Sequence, residues 1–167
     1  MTFRLQSFFQ LEAEVTSPLD LSTPTNLIKL ARQMNLAQGA GAGQADMLWS
    51  DQRTISASGS DALDLAGSLT GPFGTTLTFA RIKMIVVLAA AGNTNNVNVT
   101  TPGSNGTPLF LAAGDGIAVK PGGAFMWFDP SAAGVAVTAA TGDLLTIVNS
   151  GAGTSVTYDI HIVGASS

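Results

Sequence analysis

His161 is the only histidine in the chain and there is no cysteine. A multi-histidine centre and a thiolate metal site are therefore excluded. A Ser–His–Asp arrangement would have to use His161, with Asp159 two residues away on the same face of a strand. No serine sits in a GxSxG-type nucleophile turn, so His161 reads as a solvated strand residue. The acidic residues are dispersed. Asp61, Asp64, Asp115, Asp129 and Asp143 flank turn-like sequence, where Asp accepts from the backbone two residues on. EF-hand ligand spacing is absent. The glycine loop QGAGAGQA (38–45) lacks both the dinucleotide spacing and the lysine of a phosphate loop. Trp49, Trp127, Phe125 and Phe128 could stack on sugar rings, but core packing is the commoner use of aromatics in strands. The chain reads as a non-enzyme that needs no cofactor and no metal.

Surface chemistry points the same way. Charged residues make up 11% of the 167 residues and hydrophobic ones 46%, against a usual charged share of about 25%. A surface so short of charge is expected to meet other protein, although Ser, Thr and Asn could also solvate it. The net charge is −4 and the seven Lys and Arg are scattered, which excludes a phosphate-tracking surface and makes nucleic acid an unexpected partner. The longest apolar run, Met84–Ala91, is far below the ~20 residues that span a bilayer, so no membrane is expected. MTFRLQSFFQLEAEV lacks the unbroken apolar core of a signal peptide, so assembly in a cytoplasm is expected.

The elements that would carry such a surface are strands. Residues 1–16 alternate, with Phe3, Leu5, Phe9, Leu11, Ala13 and Val15 on one parity and Phe8 breaking the other. This strand can add to its own sheet, the favoured reading, or serve as an arm on a neighbour's edge. SPLDLSTPT (17–25) is a connector. Residues 26–37 fit a helix or a strand; the β-rich context favours a strand. Met47–Ser56 carries Trp49. Thr75–Ala90 reads as one long strand interrupted on one face by Arg81 and Lys83. Asn93–Thr100 reads as an edge strand with Val97 and Val99 inward. Ala124–Phe128 is aromatic on both faces. Leu144–Asn149 and Ser155–Val163 flank a small loop as a closing hairpin, the first arm central and the second turning Val156, Tyr158, Ile160 and Ile162 inward. Short strands between turns at roughly 8–12-residue spacing mark a sandwich or barrel.

Three stretches carry a resemblance: WSDQRTISASGSDALDLAGSLTGPFGTTLTFARIKMIVVLAAAGNTN (49–95), KPGGAFMWF (120–128) and the closing GDLLTIVNSGAGTSVTYDIHIVGAS. Over most of residues 39–166 the chain resembles small structural proteins of tailed bacteriophages. The resemblance implies a virion component with a jelly-roll-like or related sandwich fold, similar to capsid decoration (cement) proteins, which clamp adjoining major capsid proteins as oligomers.

The expectation is thus an all-β, single-domain antiparallel β-sandwich, jelly-roll-like, with residues 1–25 as N-terminal strand or arm and connector and 26–167 as the sandwich core. The expected function is non-enzymatic: a virion protein that decorates and stabilises the capsid by binding across major capsid protein subunits as a homo-oligomer, trimer or dimer. A tail- or tail-fibre-associated module and a carbohydrate-binding sandwich are the alternatives. Phe3, Leu5, Phe8, Phe9, Leu11, Trp49, Trp127 and Phe128 are the candidate assembly contacts.

Overall fold

The computed structural model describes residues 2–167; Met1 of the expected first strand lies outside them. Every element is a strand: β1 (Leu5–Thr16), β2 (Thr25–Gln38), β3 (Gln44–Ala45), β4 (Met47–Ile55), β5 (Ser60–Asp64), β6 (Leu69–Thr70), β7 (Thr76–Leu77), β8 (Arg81–Ala89), β9 (Val97–Thr100), β10 (Gly116–Val119), β11 (Ala124–Phe128), β12 (Val135–Ala136), β13 (Leu144–Asn149) and β14 (Val156–Ala165).

Two antiparallel sheets, β11-β8-β14-β4 and β10-β9-β13-β5, face each other. Their pairings nest: β4 with β14, β5 with β13, β8 with β11, and β9 with β10. First pairs with last and so inward to the middle, which is the winding of a jelly roll. Period-two alternation builds the space between the sheets. Val156, Tyr158, Ile160 and Ile162 of β14 meet Leu145 and Ile147 of β13, all fully buried. Val97 and Val99 of β9 and Ile85 and Val87 of β8 complete the same cluster.

Four expectations change in register or partner. The closing segments do not form a hairpin: β13 and β14 lie in opposite sheets, and the loop between them arches across the roughly 10 Å inter-sheet gap. Buried Asn149 holds that arch. Its Nδ2 donates to the carbonyls of Ser56 (3.0 Å) and Thr154 (2.8 Å), and its Oδ1 accepts from Asn95 Nδ2 (3.0 Å) and the Gly151 amide (3.2 Å). The β9 strand is not an edge, since it lies between β10 and β13; its outward Asn98 and Thr100 are half-buried, and the Thr100 hydroxyl donates to the Thr146 carbonyl at 3.0 Å.

The expected long strand over 75–90 is broken between β7 and β8. Within β8, Ile82 pairs with Gly164 and Met84 with Val163, so Lys83 is an extra residue, a bulge. The bulge turns both Ile82 and Ile85 to the core and buries Lys83. Gly164 permits it, because a Cβ there would lie 2.2 Å from the Arg81 carbonyl oxygen.

The N-terminal strand joins neither sheet. β1 pairs residue for residue with β2, from Leu5–Leu36 to Thr16–Thr25, as a long hairpin closed by the 17–24 turn. The strand reading of 26–37 therefore holds, but those residues belong to the arm rather than to the sandwich, and a boundary at 25/26 cuts the hairpin at its turn. Local alternation made both strands visible; their pairing with each other depended on the Pro18–Pro24 segment acting as a reversal, with the Ser17 amide donating to the Pro24 carbonyl at 3.1 Å.

Candidate functional site

The arm's register sorts its side chains onto two faces. Leu5, Ser7, Phe9, Leu11, Ala13 and Val15 share one face with Leu36, Met34, Arg32, Leu30, Ile28 and Asn26. Gln6, Phe8, Gln10, Glu12 and Glu14 share the other with Asn35, Gln33, Ala31, Lys29 and Leu27. The second face is mostly polar and carries the Lys29–Glu12 ion pair at 2.9 Å, with Phe8 and Leu27 exposed on it. The first face is apolar except for Ser7, Arg32 and Asn26.

Only the base of the apolar face is covered. Phe3, Leu5 and Leu36 pack with Ala45, Met84, Val163, Val86 and Phe128 on the outer side of the β8–β14 sheet. Farther out, Phe9, Leu11, Ile28 and Val15 are exposed, Val15 by 67%, and the turn ends in Leu19 and fully exposed Leu21. Exposed apolar side chains in one contiguous strip mark an interaction surface rather than ordinary scatter.

The loop beneath the arm is fixed by two cations. Arg81 Nη1 donates to the Ala132 carbonyl (2.7 Å), and Lys83 Nζ donates to the carbonyls of Ser131 and Ala132, the latter at 2.9 Å. Burial pushes the Lys83 amine below its ordinary range, and Asp129 opposes that shift. Asp129 is itself held below the usual carboxylate range by the Ser131 amide and hydroxyl. The same loop meets the arm's base, where the Gly43 amide donates to the Pro130 carbonyl at 2.7 Å.

The expected contact residues divide. Phe8, Phe9 and Leu11 lie exposed on the arm, and Phe3 and Leu5 are half-buried at its base. The aromatic contacts expected on the sandwich are corrected. Trp49 is buried in the core and Trp127 packs against the same cluster, because both point to the inter-sheet face of their strands. Phe128 points to the opposite face, where it supports the arm's base. Trp49 and Phe128 thus face opposite sides of one sheet and form no common sugar platform. The β2 residues Ile28, Leu30 and Met34, and the turn's Leu19 and Leu21, were missing from the expected contacts; the alternation of 26–37 is the signal that reveals the β2 set.

His161 is exposed on the outer face, opposite Ser50, but Asp159 is engaged by Gln52 Nε2 at 2.8 Å. Among the described residues no three His, Asp or Glu side chains gather to hold a metal, and no helix is long and apolar enough to cross a membrane. A second polar cluster staples the sandwich's flank. Arg53 of β4 grips Asp61 of β5 through Nε and through Nη2 (3.0 Å), and Asp61 also accepts from the buried Tyr158 hydroxyl (2.7 Å). Burial, then this hydrogen bond, raises the Tyr158 phenol well above its ordinary value. Arg53 is raised, chiefly by its hydrogen bond to Asp61. These three residues join strands of both sheets. Compared with known proteins, the chain matches no family model, no curated protein and no solved structure.

Proposed function

We propose that this chain is a non-enzymatic structural component of a bacteriophage virion, which decorates the capsid and stabilises it by binding across major capsid protein subunits as an oligomer. The observation that carries the reading is the arm: a long two-stranded ribbon that leaves the sandwich with an apolar face uncovered. An isolated two-stranded ribbon is marginal in water, and a third strand or a covering layer is what stabilises it. A sandwich that folds around its own core, with an unsatisfied arm and a surface poor in charge, suits work done by large contacts. The jelly roll serves capsid domains and lectins alike, so the arm and not the fold supports the assignment. The phage resemblance of residues 39–166 supplies the setting.

The test is addition of purified chain to capsid shells assembled without it. The chain should co-sediment with the shells at saturable stoichiometry and raise the temperature at which they break open. Shells that neither bind the chain nor gain stability would contradict the proposal.

A further inference from the structure

The arm is unfinished at its edges as well as on its face. Among the described residues, β1 has no strand neighbour except β2, and β2 has none except β1 and a two-residue contact with β3 at Ala37 and Gln38. Proteins blunt such edges with proline, bulges, short strands or inward-pointing charge. Here neither strand contains proline or glycine, and the ladder runs without a bulge from end to end. The charges are segregated: Glu12, Glu14 and Lys29 lie on the polar face, and Arg32 alone lies on the apolar one.

We infer that the arm's apolar face and both its edges are covered by the arms of further copies of this chain. The topology of the hairpin makes copies suitable partners. Arms related by rotation about an axis along their length run up and down in alternation, so β2 of one copy meets β1 of the next antiparallel. Such a head-to-tail contact closes when the rotation closes. Two ribbons stacked face to face would hide the apolar strip but leave every edge open. Three arms are the smallest ring with room for side chains inside, a six-stranded barrel narrower than the eight-stranded ones whose interiors side chains just fill. Small Ser7 and Ala13 among large Phe9 and Leu11 suit a narrow interior, and Arg32, the one charge on that face, must lay its stem along the ribbon and carry its guanidinium out of the ring. The part of the strand beyond the covered base spans about 30 Å, so each inner face hides on the order of 300 Å² before the two new ladders are counted. The inference rests on the assembly reading only in taking the arm as the working surface; it does not depend on what the assembly binds.

Sedimentation equilibrium of the full chain should give the mass of three chains. The double variant Leu11→Glu, Leu30→Glu puts facing carboxylates on the apolar strip and should sediment as one chain, with the fluorescence of Trp49 and Trp127 in the sandwich unchanged. Because the chain has no cysteine, Ala13→Cys gives a second readout independent of folding defects. This inward position should cross-link chains on mild oxidation, whereas outward Gln10→Cys should not. A monomeric wild-type chain, an oligomer that survives the double variant, or equal cross-linking at positions 13 and 10 would overturn the inference. An arm-dependent trimer that ignores capsid shells would leave it standing and remove the decoration role. A monomer that binds shells would do the reverse.

Discussion

Removing Asp61 should cost the sandwich far more when Tyr158 keeps its hydroxyl than when it does not. Asp61→Ala strands the Tyr158 oxygen, whose residue is fully buried, and leaving a buried hydroxyl without its partner costs about 2 kcal/mol. The Arg53 grip adds less, because its side chain is 35% exposed and solvent screens such a pair to about 1 kcal/mol or below. The single variant should therefore lose about 3 kcal/mol, or about 9 °C in Tm for a chain of this length. Tyr158→Phe alone should lose about 1 kcal/mol, since Asp61 keeps Arg53 and some solvent. The double variant leaves no orphan hydroxyl, so it should sit near the Asp61→Ala single variant or above it, a coupling of about 1–2 kcal/mol. Urea unfolding followed by tryptophan fluorescence reads all four corners, with Trp49 buried about 6.0 Å from the Arg53 guanidinium carbon as reporter. Additive losses would refute the claim that the three residues act as one staple.

Other consequences follow from the same structure. A phenol raised in the folded state contributes stability that is full below its unfolded pKa of about 10 and is lost as pH rises above it, so Tyr158→Phe should lack part of the alkaline destabilisation seen in wild-type melts. Lys83 has the opposite sign: with its folded pKa lowered, the unfolded chain binds more protons and stability rises as pH climbs toward about 10.5. Wild type should therefore gain on Lys83→Met between neutral pH and that limit, and parallel pH profiles would contradict the burial of the amine. Asn149→Ala should cost about 3 kcal/mol in chemical denaturation by orphaning the arch's carbonyls and amides, whereas a loss below about 0.5 kcal/mol would show that the arch holds itself.

Strand parity was legible wherever one face had to be apolar. Val156, Tyr158, Ile160 and Ile162 could be placed inward because a single-residue slip would expose all four. Partners were less legible. The loop Ser150–Thr154 has the composition of a tight turn whether it reverses within one sheet or arches to the other, and only the buried side chain of Asn149 distinguishes the two. The bulge at Lys83 left a trace, since Arg81 and Lys83 interrupt an apolar face, but parity alone does not say which residue is skipped. Trp49 and Trp127 could be read as core or as contact, because aromatic character marks packing without saying against what. On the arm, Phe9 and Leu11 were readable from the first strand alone. Their neighbours Ile28, Leu30 and Met34 required recognising that residues 25–38 return along it, a pairing that sequence spacing permits but does not dictate.

The proposed role of this chain is to bind a capsid. Quantitative mass spectrometry of purified virions tests it most directly, with wild-type chain and the Leu11→Glu, Leu30→Glu variant compared at equal expression. The wild-type chain should be present at high copy in fixed ratio to the major capsid protein, and the variant should be depleted from particles while accumulating in lysate. A wild-type chain found only in lysate, never in particles, would contradict the account.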